Sequence, residues 1–124
     1  MLKLELLHKD DRGEIYLLKG DSLKEHEEIT LFVTKKGYAR GGCVHRHHDE
    51  FCVVLEGSIK YFIGEEYPEA LAKGMSTLIP QAQPHYFVSN TDSIVAEWGA
   101  TPEEKKEKDP VFRKYMEEHN ARIK

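Results

Sequence analysis

The chain has 124 residues, 40% of them hydrophobic and 32% charged. That length suits one domain, and that composition lies outside the ranges of disordered acidic chains and membrane proteins. Lys and Arg number 18 against 22 Asp and Glu, a net charge of −4, so no basic field is available to neutralise a phosphate backbone and nucleic acid is not expected as a partner.

No apolar run approaches the ~20 residues of a membrane span. Charges interrupt Met1-Leu2-Lys3-Leu4-Glu5-Leu6, where a signal peptide would be continuously apolar. Two cysteines, Cys43 and Cys52, make no disulfide scaffold. A cytoplasmic protein without membrane contact is expected.

Residues 2–6 alternate apolar and charged, as a half-buried strand does. Asp10-Asp11-Arg12-Gly13 is a turn signal, and Ile15 to Leu18 reads as a short strand. Ile29 to Thr34 is rich in β-branched and aromatic residues and predicts a strand. In Gly41-Gly42-Cys43-Val44-His45-Arg46-His47, the side chains of Cys43, His45 and His47 share one face if the segment is extended. Further strands are predicted at Glu50 to Leu55, Ile59 to Ile63, Ser76 to Ile79, Pro84 to Val88 and Ser93 to Trp98. Many short strands separated by glycine and polar turns predict an all-β antiparallel fold, closed or sandwiched.

At Thr101 the composition changes. Thr101-Pro102-Glu103-Glu104 carries the marks of a helix start, with an N-cap Thr, Pro at the first helical position and Glu three residues after the cap. Asp109-Pro110 starts a second helical segment, where Val111, Phe112, Tyr115 and Met116 form an apolar stripe at helical spacing. Packing against the β-domain or a second subunit accounts for that stripe. Residues 1–100 are therefore read as a β-barrel and 101–124 as a helical tail.

Seven histidines occur, three of them at His45, His47 and His48. Two segments, Gly37 to Gly57 and Gly74 to Asn90, together resemble the paired signature motifs of the cupin superfamily. In the second, Gly74, Pro80 and His85 fall in register, Ala82 replaces a glycine, and Asn90 arrives one position late. The first admits two registers. His45-Arg46-His47 supplies the His-x-His side chains but stands one residue too close to Glu50. Cys43-Val44-His45 has the correct spacing to Gly37, Glu50 and Gly57, with Cys in place of the first His. Both registers share His45, Glu50 and His85.

The resemblance implies a cupin-type antiparallel β-barrel, or jelly roll, with a short C-terminal helical tail. It also implies a divalent transition metal (zinc, iron, manganese or nickel) held by His45, His47, Glu50 and His85, or with Cys43 in the alternative register. Imidazoles and a carboxylate suit such ions and leave positions open for substrate or oxygen; a Cys43 thiolate would favour softer metals such as zinc. His45 and Glu50 are the expected catalytic groups, in chemistry of the oxygenase or isomerase type on a small molecule.

Arg40-Gly41-Gly42-Cys43-Val44-His45 is also similar to a stretch found in sugar-nucleotide ketoisomerase and epimerase cupins. Arg12-Gly13-Glu14-Ile15 and the ending with Phe112, Tyr115 and Asn120 are loosely similar too. That likeness implies metal-free proton transfer by His45 on a sugar nucleotide, with Glu50 or His85 assisting. A non-catalytic sugar-binding module is the third alternative. A homodimer is expected, because small barrels expose edges and faces that a second copy covers.

Overall fold

The computed structural model describes residues 1–123; Lys124, the last residue of the expected tail, lies outside the described residues. In chain order the strands are β1 (Leu2–Asp10), β2 (Gly13–Gly20), β3 (Ile29–Thr34), β4 (Ala39–Cys43), β5 (Glu50–Glu56), β6 (Ser58–Ile63), β7 (Glu69–Ala72), β8 (Ser76–Ile79), β9 (His85–Ser89) and β10 (Ser93–Trp98). Helix α1 (Pro110–Ala121) follows. One sheet has the order β1-β2-β3-β10-β5-β8 and the other β4-β9-β6-β7. All pairings are antiparallel. The jelly roll is thus built as two facing sheets rather than one continuously hydrogen-bonded cylinder.

Strand alternation decides which side chains lie between the sheets. On β5, Glu50, Cys52 and Val54 are buried while Phe51 and Leu55 are exposed. On β10, Ser93, Val95 and Glu97 point inward. Cys52, Val54, Ile59, Tyr61, Phe87 and Val95 belong to the core. The core occupies the middle of the sandwich, and the polar inward residues lie toward its ends.

The tail departs from the predicted first helix. Thr101 and Glu104 form the expected reciprocal cap, with the Thr101 N–H donating to Glu104 Oε2 at 2.9 Å and the Glu104 N–H to Thr101 Oγ1 at 3.3 Å. Only a single 3-10 turn, Glu104–Lys106, follows. The chain is then drawn out along β4. The Val44 N–H donates to Glu107 O, Cys43 bridges Lys108, and the Asp109 N–H donates to Gly42 O. Asp109 is extended, as the residue before a proline prefers, and its carboxylate caps α1 through the Phe112 N–H at 2.9 Å.

Helix α1 lies against β4. Gly42 makes this approach possible: its φ is +81°, and a Cβ there would stand 2.6 Å from Arg113 Cα. Asn120 clamps the strand by accepting from the Ala39 N–H at 2.7 Å and donating to Ala39 O at 3.0 Å. Of the predicted stripe, Met116 is buried and Phe112 half-buried, while Val111 and Tyr115 are about half exposed.

Two local devices hold the loop between β4 and β5. Ala82 has φ +65°, the one non-glycine with positive φ among the described residues, and its N–H donates to His45 O at 2.6 Å. Glu104 accepts from the His47 N–H and contacts His48 Nδ1, each at 2.8 Å. Burial alone would raise the Glu104 carboxyl. The Thr101 and His47 backbone N–H groups, then His48 and the Thr101 hydroxyl, outweigh it and hold the carboxyl at about 2.

Ala82→Gly is expected to stabilise the protein. Relief of roughly 1–2 kcal/mol of left-handed strain exceeds roughly 0.5–1 kcal/mol of added glycine chain entropy, a net gain of up to about 1 kcal/mol measurable by urea unfolding. Glu104 contributes stability that is present above its unfolded value of 4.5 and lost as pH falls toward about 2. Glu104→Gln should therefore flatten the decline of the unfolding midpoint across that interval, as acid titration followed by circular dichroism will read.

Candidate metal centre

His45, Glu50 and His85 come from three different places. His45 stands on the loop after β4, Glu50 opens β5, and His85 opens β9. All three are buried, and their ligand atoms lie within 4.8 Å of one another. Glu50 Oε1 is 3.1 Å from His45 Nε2 and 3.8 Å from His85 Nε2.

The protons of this group can be placed by its outer contacts. His85 Nδ1 lies 3.0 Å from Gln83 O, and His45 Nδ1 lies 3.3 Å from Glu104 O. A carbonyl oxygen only accepts, so each Nδ1 carries a proton when it makes that bond. In a neutral imidazole, Nε2 is then a lone pair. Two nitrogen lone pairs thus converge on a carboxylate, and Glu50 Oε1 has no hydrogen-bond partner despite being buried. Three acceptors meeting in a buried site favour a cation among them. The donor set of two imidazoles and a carboxylate fits a divalent transition metal, and backbone carbonyls orienting the far ring nitrogens are the usual support for it.

The electrostatics follow from burial and from Glu50. Burial would lower His45, but the Glu50 carboxylate against it more than compensates and raises it. His85 is pushed down to about 4, chiefly by burial, with His45 adding to the effect and Glu50 opposing it. Burial would raise Glu50, and the two histidines, His45 foremost, bring it below the ordinary carboxylate range.

Beside it, Glu97 is buried and accepts from the Tyr61 hydroxyl at 2.6 Å. Burial, and then repulsion from Glu50, hold Glu97 well above its ordinary value, so it keeps its proton. The sequence does not single out Glu97 for the site. A clue was available: Glu97 shares the inward alternation of Ser93 and Val95 on β10, a place where a carboxylate needs a reason.

His47 does not join the group. It had been expected to share a face with His45, but β4 ends at Cys43 and residues 44–49 form a loop, so strand alternation does not apply. His47 is exposed and its backbone N–H is tied to Glu104. Cys43 also stands outside the set of three. It lines the same cavity and pairs with His85 across β4 and β9, where the register slips between Gly41 and Cys43. Its Sγ faces Lys108 Nζ at 3.8 Å, and burial keeps the thiol above its ordinary value, hence protonated.

The group opens into a cavity of about 360 Å³, with Phe32 and Phe87 on its apolar wall and Arg12, Arg40, Lys105, Lys108 and Arg113 among its polar lining. That volume is at the small end of the ~300–1,000 Å³ typical of small-molecule sites. No helix among the described residues is long and apolar enough to cross a membrane.

Comparison with known proteins bears on the fold. Capsular polysaccharide assembling protein CapF from Staphylococcus aureus superposes with a TM-score of 0.67 at 18% identity, over 79% of this chain and 29% of that one. The present chain thus spans under a third of that protein. KdgF from a Halomonas species superposes with a TM-score of 0.67 at 15% identity, over 78% of this chain and 86% of that one. An RmlC-like cupin from Shewanella frigidimarina does so with a TM-score of 0.67 at 18% identity, over 82% and 87%. No curated protein matches the sequence. The family model described as Cupin domain matches residues 30–100, more than half the chain. His45, Glu50 and His85 and the whole of β4 to β10 fall within that match, and the chain belongs to the cupin domain family.

Proposed function

We propose that the protein is a metal-dependent cupin in which His45, Glu50 and His85 hold one divalent transition metal and act on a small molecule, by oxygenation or isomerisation. The observation that carries this reading is the buried Glu50 Oε1, which lacks a hydrogen-bond partner while facing two imidazole nitrogens. When bound, a metal of this class polarises a ligand oxygen and keeps positions open for substrate.

The chain's own residues do the rest. The carbonyls of Glu104 and Gln83 hold the two rings in orientation. Glu97, held well above its ordinary value beside Glu50, accepts from the Tyr61 hydroxyl. Phe32 and Phe87 give the cavity an apolar wall.

A second reading has its own support. The 3.1 Å contact between His45 and Glu50 would serve equally well with a proton in place of the metal. His45 is then the general acid–base and Glu50 its partner, as in a metal-free sugar-nucleotide isomerase. Under either reading a cytoplasmic location is proposed.

A homodimer is also proposed. The outward face of the six-stranded sheet is apolar across neighbouring strands. Phe51 pairs with Trp98 and with Leu78, and Leu4 with Leu18; Phe51, Leu78 and Leu4 are about half exposed. Such a face covers itself well across a two-fold axis.

Elemental analysis of tag-free protein is expected to give about one metal per chain, falling below roughly a tenth of that in His45→Ala, Glu50→Gln and His85→Ala, since each removes one of three ligands. Unchanged metal in all three variants would refute the coordination; a wild type that takes up no metal on reloading favours the proton reading. Light scattering should return about twice the chain's 14.3 kDa, with Phe51→Glu shifting it toward the monomer. A monomeric wild type removes the dimer.

A further inference from the structure

A second polar anchor lies at the far end of the cavity. Arg40 on β4 is 1% exposed, yet it is not neutralised by a close carboxylate. Its Nε donates to Thr34 Oγ1 at 3.1 Å and its Nη2 to Val33 O at 3.3 Å. These two bonds fix the guanidinium plane, and Nη1 is left with no hydrogen-bond partner.

The nearest carboxylate is Asp10, with Oδ1 at 4.0 Å, and it is already committed. Its Oδ1 accepts from the Arg12 backbone N–H, and its Oδ2 is taken by Arg12 Nε, Arg12 Nη2 and His8 Nε2. Two guanidiniums therefore share one carboxylate. A buried cationic donor with no hydrogen bond of its own is costly, and an anion that meets it lowers that cost.

Three more cationic side chains stand on the lining. Lys105 Nζ is spent on the Thr30 hydroxyl, Lys108 Nζ faces the protonated Cys43, and Arg113 Nη1 donates to Gly41 O. Neither lysine makes an ion pair among the described residues. In a chain of net charge −4, five Lys and Arg gathered on one cavity against Glu50 and Glu97 mark a local reversal of sign, which attracts anions.

The placement also constrains ligand length. Arg40 is bonded to Thr34, whereas Thr30, four residues earlier on β3, lies opposite Glu97 in the sheet. That separation along a strand is ~13 Å. A ligand touching both ends is extended, and the cavity volume is small for a whole nucleoside diphosphate sugar.

We propose that this cavity binds an extended polyhydroxy carboxylic acid, with its carboxylate on Arg40 Nη1 and its far hydroxyls or carbonyl at His45, Glu50 and His85. This names the substrate class for the proposed site and rests on that cavity being the ligand site. The anchoring by Arg40 does not depend on the metal.

Calorimetric titration with gluconate, gluconamide and glucose tests the assignment, in both as-purified and chelator-stripped protein. Gluconate should bind at least ~tenfold tighter than gluconamide and glucose. Removal of metal should weaken gluconate without erasing its advantage over gluconamide. Arg40→Met, which keeps the stem, should lose that advantage while its thermal melt shows a folded protein. If Arg40→Met does not fold, Lys108→Met serves: gluconate should weaken ~threefold or more while glucose is unchanged.

Equal affinity for gluconate and gluconamide overturns the proposal, as does no gluconate binding below ~10 mM or full discrimination in folded Arg40→Met. Discrimination that vanishes with the metal also overturns it, since the carboxylate would then be held by the ion. Discrimination that persists in a protein taking up no metal supports the anchor while refuting the metal centre.

Discussion

Everything at the site turns on two imidazoles and one carboxylate, those of His45, His85 and Glu50, buried face to face. The rings of His45 and His85 direct their Nδ1 atoms at the carbonyls of Glu104 and Gln83, so in their neutral forms the Nε2 lone pairs lie opposite the Glu50 carboxylate. In water such a trio would be solvated. Between two sheets a positive charge inside it, from a metal ion or from an added proton, offsets the cost of burying it. The raised His45 and depressed Glu50 express the proton version of that demand. Protonated Glu97 shows its limit, since a second uncompensated carboxylate is not tolerated beside the first.

Those acceptors are aimed by elements remote in sequence. The loop bearing His45 has no strand pairing of its own and is fastened from both sides. The Ala82 N–H holds the His45 carbonyl, and Glu104 holds the His45 ring with its backbone oxygen and the His47 N–H with its carboxylate. Each fastening carries a local compromise. Ala82 adopts a backbone conformation that suits glycine, and Glu104 ends a helix start after one turn. Both are departures from local preference of the sort that accompanies functional sites.

Strand alternation and turn residues predicted most of the sandwich, and the resemblance of Gly37 to Gly57 and of Gly74 to Asn90 to the cupin motifs pointed to His45, Glu50 and His85, which lie together. Strand β7, with Glu69 and two alanines, has weak β propensity and was not predicted. His47 misled because alternation is meaningful only inside a strand, and the strand stops at Cys43. Glu97 and Arg40 stayed hidden for a different reason. A charged residue in a strand ordinarily faces solvent, and only the register of β10 with β3 and of β4 with β9 turns these two inward. The tail after Thr101 read as helix by its cap, whereas its extended course is set by bridges to β4 that no local pattern encodes.

The route of residues 101–109 along β4 also has a practical side. Because Glu104 supplies the carbonyl that orients His45, the segment after β10 is an integral wall of the site, although it looks like a trailing appendage. Protein engineers trimming this chain to a minimal scaffold, or grafting its sandwich into a fusion, would therefore need to retain that wrap, since a cut behind Ala100 removes the brace of the His45 ring, more than fifty positions upstream.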